Sequence, residues 1–296
     1  MGLGLQSIKL YLELYQRGFF RDINSVIDMG SQELMMKQVD FESLIRTAGI
    51  SNYNRDNFTP WNWPEQPRCS SKPFFEMLGV KKYSCIDINS EHGAISIDLN
   101  SPLKDTALYG QYDLVTDHGT CEHVFNISEA YRTMHRLCKS HGIIVISQGV
   151  SNTNGYYLFD LAFFEGIAAA NNYKILFCSY DIYLKSLTAA GSEMHFPIPL
   201  SRELLDAIDW SKTTAIGITY VLQKQSDADF QYPYQDDYIS QSQGHYGYVI
   251  QFLPDPPSRT YIPLRDNPMD SVPAKDLAKT LIKKIVAKIR RCSLDA

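Results

Sequence analysis

The chain has 296 residues, 44% hydrophobic and 21% charged, enough to bury the core of one large domain or two smaller ones. That composition excludes a disordered or collagen-like protein. A net charge of −5, from 28 basic and 33 acidic residues, argues against a nucleic-acid binder, which normally shows a basic stripe or domain.

Residues 6–19 open the chain with an apolar pattern, Ile8, Leu10, Leu12, Leu14 and Tyr15, that predicts a helix. Short apolar runs closed by an acid or a glycine then recur and predict strands: Ser25–Gly30, Tyr83–Asp87, Ala94–Asp98, Tyr112–Asp117 and Gly142–Ser147. A helix is predicted over Ile127–Cys138 and another over Leu158–Asn171, where apolar residues fall at three- and four-residue spacing. Tyr173–Tyr183 and Thr214–Gln223 read as two more strands, with a helical Ser201–Trp210 between them. Apolar strands alternating with helices predict an α/β fold: a doubly wound, Rossmann-like sheet of about seven strands (the last antiparallel).

Two stretches break the rhythm. Ile50–Pro73 holds Trp61, Trp63 and several prolines among polar residues, and reads as an insertion, either a lid or a surface loop pinned by its tryptophans. Beyond residue 225 the chain is irregular and rich in Tyr, Gln, Asp and Pro, until an amphipathic helix at Lys275–Arg291. The expected organisation is a domain over 1–225, with the insertion at about 50–73, and an extension over 226–296. Seven basic residues against one acid give the terminal helix a charge of +6, leaving −11 for the remainder. Docking of that helix on its own chain or on a second subunit is expected ahead of binding to anionic lipid.

Cys69, Cys85, Cys121, Cys138, Cys178 and Cys292 form no C-x-x-C pair. They make neither a zinc pattern nor a disulfide framework, and a reducing compartment is expected. No run approaches 18 apolar residues, and Gly2–Tyr15 carries Lys9 and Glu13 with no cleavage site for a signal peptide. A cytoplasmic protein without a membrane span is expected.

Candidate chemistry sits at the strand ends, where open parallel sheets bind ligands. Asp28, Asp87, Asp98 and Asp117 each close a strand, and Asp28-x-Gly30 forms the first turn. A carboxylate at Asp87 can accept both hydroxyls of a ribose, with Asp98 and Leu99 flanking an adenine. The turn reads Gly30-Ser31-Gln32-Glu33 instead of G-x-G-x-x-G, and no G-x-x-x-x-G-K-[ST] loop occurs. NAD and ATP are therefore disfavoured.

The order Asp28-x-Gly30, Asp87, Asp98, Asp117 and Gly142 resembles the class I S-adenosylmethionine-dependent methyltransferases, over roughly residues 20–225. It is similar in particular to bacterial small-molecule methyltransferases with a Gly-Thr-x-Glu-His element after the fourth strand, here Gly119-Thr120-Cys121-Glu122-His123. They also share Met134-His135 at a helix end and the later Asn172-Tyr173. The resemblance implies S-adenosylmethionine as cofactor, held by Asp28, Gly30, Ser31, Gln32, Asp87, Ile88, Asp98, Leu99 and Asp117. The sequence departs from the family at Gln32, where a second glycine is usual.

Methyl transfer to a hydroxyl needs a base, and His118, Glu122 and His123 are the candidates. Their spacing with Asp117 matches no strong metal signature, and no metal is expected. Beyond the fifth strand, Gln148, Asn152, Asn154, Tyr156, Tyr157, Phe159, Phe163 and Phe164 mix amides with aromatics, suiting a polyhydroxylated or aromatic acceptor, though the three phenylalanines also fit a buried helix stripe. The expected function is methylation of a small molecule at a hydroxyl of a sugar or secondary metabolite. The alternatives are a catalytically silent methyltransferase-like binding or assembly domain and another nucleoside-cofactor enzyme.

Overall fold

The computed structural model describes residues 2–151, 154–184, 194–199 and 213–234. The main sheet is built from β2 (Ser25–Met29), β4 (Lys82–Ile86), β5 (Tyr112–His118), β6 (Cys138–Ser151), β7 (Lys174–Leu184), β8 (Met194–Pro199) and β9 (Thr213–Gln223). These seven strands lie in the order β4-β2-β5-β6-β9-β7-β8. β2 pairs in parallel with β4 and β5, and β5 in parallel with β6. β9 runs antiparallel between β6 and β7, and β8 is antiparallel to β7. The result is the doubly wound, Rossmann-like sheet that the alternating strands and helices predict.

Strand residues feed the two faces in turn, as a pleat requires. Val26, Leu114, Val145 and Val221 join one apolar cluster with α1 (Leu5–Gln16), α2 (Gln38–Thr47) and α3 (Lys72–Met77). Ile27, Val115, Ile144 and Leu222 join the other, with α4 (Ile127–Leu137) and α5 (Leu161–Ala170). Burial on both faces explains why these strands read as continuous apolar runs.

The N-terminus makes a second, two-stranded sheet, β1 (Gly2–Leu3) paired in parallel with β3 (Glu33–Leu34). Its partner strand directly follows the first turn of the main sheet. α1 is thereby tethered near the carboxyl ends of the strands.

Several expectations change. The strand over Ala94–Asp98 contracts to a single bridge between Ile86 and Ile95, because the segment is held by local turns at Asp98 and Glu91 instead of a ladder. β8 was not foreseen: Pro197 and Pro199 mask an edge strand in the sequence. The insertion is pinned. Trp63 is fully buried, packed against Phe41 at 5.3 Å and Trp61 at 4.8 Å between ring centroids. The helices expected at Ser201–Trp210 and Lys275–Arg291 lie outside the described residues, as does the extension from residue 235. Cys69, Cys85, Cys121, Cys138 and Cys178 are buried and carry no disulfide. Among the described residues no helix is long and apolar enough to cross a membrane.

Candidate functional site

From β2 the chain crosses to β4 on one side, and then returns to β5 on the other. The loops after β2 and β5 therefore flank the topological switch point, where such sheets bind ligands. Here the two loops interlock. The Thr120 hydroxyl donates to the Met29 carbonyl at 2.6 Å, and the Gln32 amide donates to the same carbonyl at 2.7 Å and to Thr120 Oγ1 at 2.8 Å. Gly30 lies between them with φ +89°, its N–H bonded to the Ile86 carbonyl at 2.7 Å. A Cβ at that position would run into the Thr120 hydroxyl. Glycine is needed so that two loops of the protein can approach.

Asp28 lies beneath, fully buried inside β2. Ser71 and Thr116 donate to it, and Tyr83 donates at 2.8 Å. One carboxylate thus joins β2 to β5, to β4 and to the end of the insertion. Burial pushes its pKa up to about 6, against those hydrogen bonds. Asp117 is similarly enclosed. It accepts the N–H groups of Thr120 at 2.9 Å and Cys121 at 3.3 Å, together with the Gln148 amide. Burial likewise raises it to about 6. Glu33 receives Arg68 and Gln66 at 3.0 Å and His92 at 3.2 Å. Burial pulls its pKa up, but these donors outweigh it and hold the group below the usual carboxylate value. The insertion is in this way fastened to the first turn.

Asp87 is half-buried at the end of β4. Its Oδ2 accepts the Ser31 N–H at 2.9 Å and hydroxyl at 2.8 Å, and its Oδ1 accepts the Asn89 N–H at 3.2 Å. The Ser31 hydroxyl also reaches Asn89 Oδ1 at 2.7 Å. With one proton to share, it leaves acceptor capacity on Asp87. Ile88, the next residue, is 72% exposed, whereas Leu99 is buried. Asp98 is exposed, holding a turn through the Asn100 N–H at 2.9 Å. That bond keeps its pKa below the usual range.

On the other side of Gly119 a cavity of about 320 Å³ opens beneath α1. Gln6, Ser7, His118, Glu122, Gln148 and Asp181 supply its polar lining, and Leu5, Met35, Tyr183 and Ile216 its apolar wall. The His118 ring meets the Tyr11 hydroxyl at 2.7 Å and the Ser7 hydroxyl at 3.2 Å. Burial lowers its pKa to about 3, so the ring is neutral near pH 7. Glu122 Oε2 accepts the Gly149 N–H at 3.0 Å, and its Oε1 lies 3.5 Å from His123 Nε2. His123 is not part of the cavity wall. Asp181 accepts the Thr219 hydroxyl at 2.5 Å, and burial raises it to about 6.

Asp117, His118, Glu122 and His123 face different neighbours, and no group of three His, Cys, Asp or Glu is placed to hold a metal among the described residues. His135 and Tyr173 pair at 2.5 Å away from this region. Phe159, Phe163 and Phe164 pack with Tyr131 on the α4 face of the sheet.

No protein-family model and no curated protein matches the chain. Among solved structures it is similar to a SAM-dependent methyltransferase from Archaeoglobus fulgidus, at 12% identity with a TM-score of 0.37, covering 74% of this chain and 95% of that one. It is also similar to a 1,6-didemethyltoxoflavin-N1-methyltransferase from Burkholderia thailandensis bearing S-adenosylhomocysteine, at 10% identity and TM-score 0.33, over 75% of this chain and 80% of that one.

Sequence reading did not single out Gln6 or Asp181. Asp181 carried a signal, as an acid in the apolar stretch Tyr180–Leu184, whereas Gln6, beside Ser7 and Lys9, carried none.

Proposed function

We propose that the protein is an enzyme that transfers the methyl group of S-adenosylmethionine to a hydroxyl of a small molecule, a sugar or secondary metabolite. The observation that carries this reading is the succession along one sheet edge. Asp87 ends β4, the glycine turn follows β2, and the cavity begins at Gly119 after β5.

The residues present suit the cofactor. Asp87 retains capacity for ribose hydroxyls, and exposed Ile88 with Leu99 offers apolar surface to an adenine, Asp98 standing at its edge. Gln32 Oε1 is buried without a hydrogen-bond partner among the described residues, an acceptor suited to the ammonium of the methionine part. Ser31 and Gly30 shape this recess, while Asp28 and Asp117 hold it from below. When bound, S-adenosylmethionine supplies a methyl group activated by its sulfonium.

What the chain contributes is alignment at near-attack distance and removal of a proton. Glu122 lines the cavity and has His123 beside it, so this pair serves as base, while neutral His118, both nitrogens engaged by Tyr11 and Ser7, forms part of the cavity wall. Asp87, Gln32, Ser31 and Gly30 would hold the cofactor so that its methyl carbon is offered to the acceptor oxygen, and Glu122 would take the hydroxyl proton. A silent binding domain is the second reading, favoured by the Gln32 side chain spanning the loop.

Calorimetric titration with S-adenosylhomocysteine tests the assignment. Wild type should bind at micromolar concentration and Asp87→Ala about 10- to 100-fold more weakly, the loss expected for hydrogen bonds to a charged group. Absence of binding to wild type would overturn it.

A further inference from the structure

The cavity beneath α1 is lined by polar groups that the protein itself leaves unanswered. Gln6 is 8% exposed, yet neither its Nε2 nor its Oε1 has a hydrogen-bond partner among the described residues. The same holds for Gln148 Oε1 and, in a small adjoining recess, for Ser179 Oγ. Each such atom carries a desolvation cost that a ligand can remove.

Charge narrows what that ligand is. Glu122 and Asp181 both line the cavity, and the described lining contains no lysine or arginine. Glu122 has the Gly149 N–H and His123 close by. Asp181, 5% exposed, receives the hydroxyl of Thr219, a neutral donor. A carboxylate so enclosed is under-compensated, and an anionic ligand would worsen that.

We infer that the acceptor is a monosaccharide-sized amine whose ammonium group is held by Asp181, with its hydroxyls on Gln6 and Gln148. This inference rests on the methyl-transfer reading only for the word acceptor. The amine site itself stands on the cavity. An ammonium brings three donors and the missing charge. A protonated nitrogen has no lone pair for attack, so it anchors the molecule while a hydroxyl at the Gly119 end is presented for reaction. The volume lies at the small end of the range for ligand pockets, about 300–1,000 Å³, which suits a single sugar ring.

The test uses glucosamine and galactosamine against glucose and glucuronate, read by calorimetry on the whole chain, with and without S-adenosylhomocysteine. Wild type should prefer the amines to glucose by tenfold or more and show no binding of glucuronate. Asp181→Asn, isosteric and neutral, should abolish the preference while leaving S-adenosylhomocysteine binding unchanged. Gln6→Met should weaken amine and neutral sugar alike. Silence from both amines, equal binding of amine and neutral sugar, preference for glucuronate, or a preference that survives in Asp181→Asn would each overturn the proposal. If the amines bind through Asp181 while S-adenosylhomocysteine does not bind, the methyl-transfer reading fails and the amine site remains.

Discussion

Asp28 and Asp181 are both buried strand carboxylates raised to about 6, yet their surroundings differ in kind. Asp28 is met by three hydroxyls from three separate elements. Asp181 is met by Thr219 and faces a cavity where the Gln6 amide and Gln148 Oε1 lack hydrogen-bond partners among the described residues. Complete satisfaction marks a carboxylate used to build the switch point. Incomplete satisfaction marks one set out for something that arrives later. The contrast separates scaffold from site without recourse to residue type, since both are aspartates.

Four substitutions press on that contrast. Asp28→Ala removes the charged acceptor of three hydroxyls, leaving Ser71 and Tyr83 only each other at 2.9 Å and the buried Thr116 without its carboxylate. At about 1.5–3 kcal/mol for each hydrogen bond to a charged group, a loss of about 4 kcal/mol or more is expected in urea denaturation. Gly30→Ala should cost about 3 kcal/mol, combining strain at φ +89° with displacement of Thr120. A loss below about 1 kcal/mol would mean that the two loops do not interlock.

His118 gives a pH signature. Its pKa is 6.5 when exposed and about 3 when folded. The neutral ring's contribution is complete above pH 6.5 and is lost as pH falls toward 3. Asp28, Asp117 and Asp181, raised from 3.8 to about 6, act oppositely, adding stability as pH falls from 6 to 3.8. Comparison with His118→Asn cancels the carboxylates. The stability difference between wild type and variant should shrink by about 2 kcal/mol between pH 7 and pH 5. The smallest effect is reserved for Asp181→Asn, whose stability should stay within about 1 kcal/mol of wild type; a loss comparable to that of Asp28→Ala would erase the distinction.

The sheet was largely legible because its strands are buried on both faces, and an acid or glycine closes β2, β4 and β5. Ala94–Asp98 looked like a strand for the same reason, but its Asp98 side chain holds a local turn and only Ile95 reaches the ladder. β8 was hidden by prolines tolerated at a sheet edge. At the site, position along the chain located Gly30, Asp87 and Asp117 at strand ends. It did not disclose that Thr120 and Gln32 fill the turn, a contact between residues 88 positions apart. Asp181 stayed hidden because its partner Thr219 and its cavity neighbours Gln6 and His118 come from three other elements.

The place of β9 has a consequence for how the chain is made. It lies between β6 and β7, although it is synthesised after both. Until residues 213–223 have emerged from the ribosome, β6 presents an open edge of unpaired N–H and C=O groups. The same delay holds for α4, whose end is closed by Lys224, donating to the carbonyls of His135 at 3.0 Å and Cys138 at 2.9 Å. The nascent sheet therefore stays half-built and open to pairing with other chains until β9 has emerged.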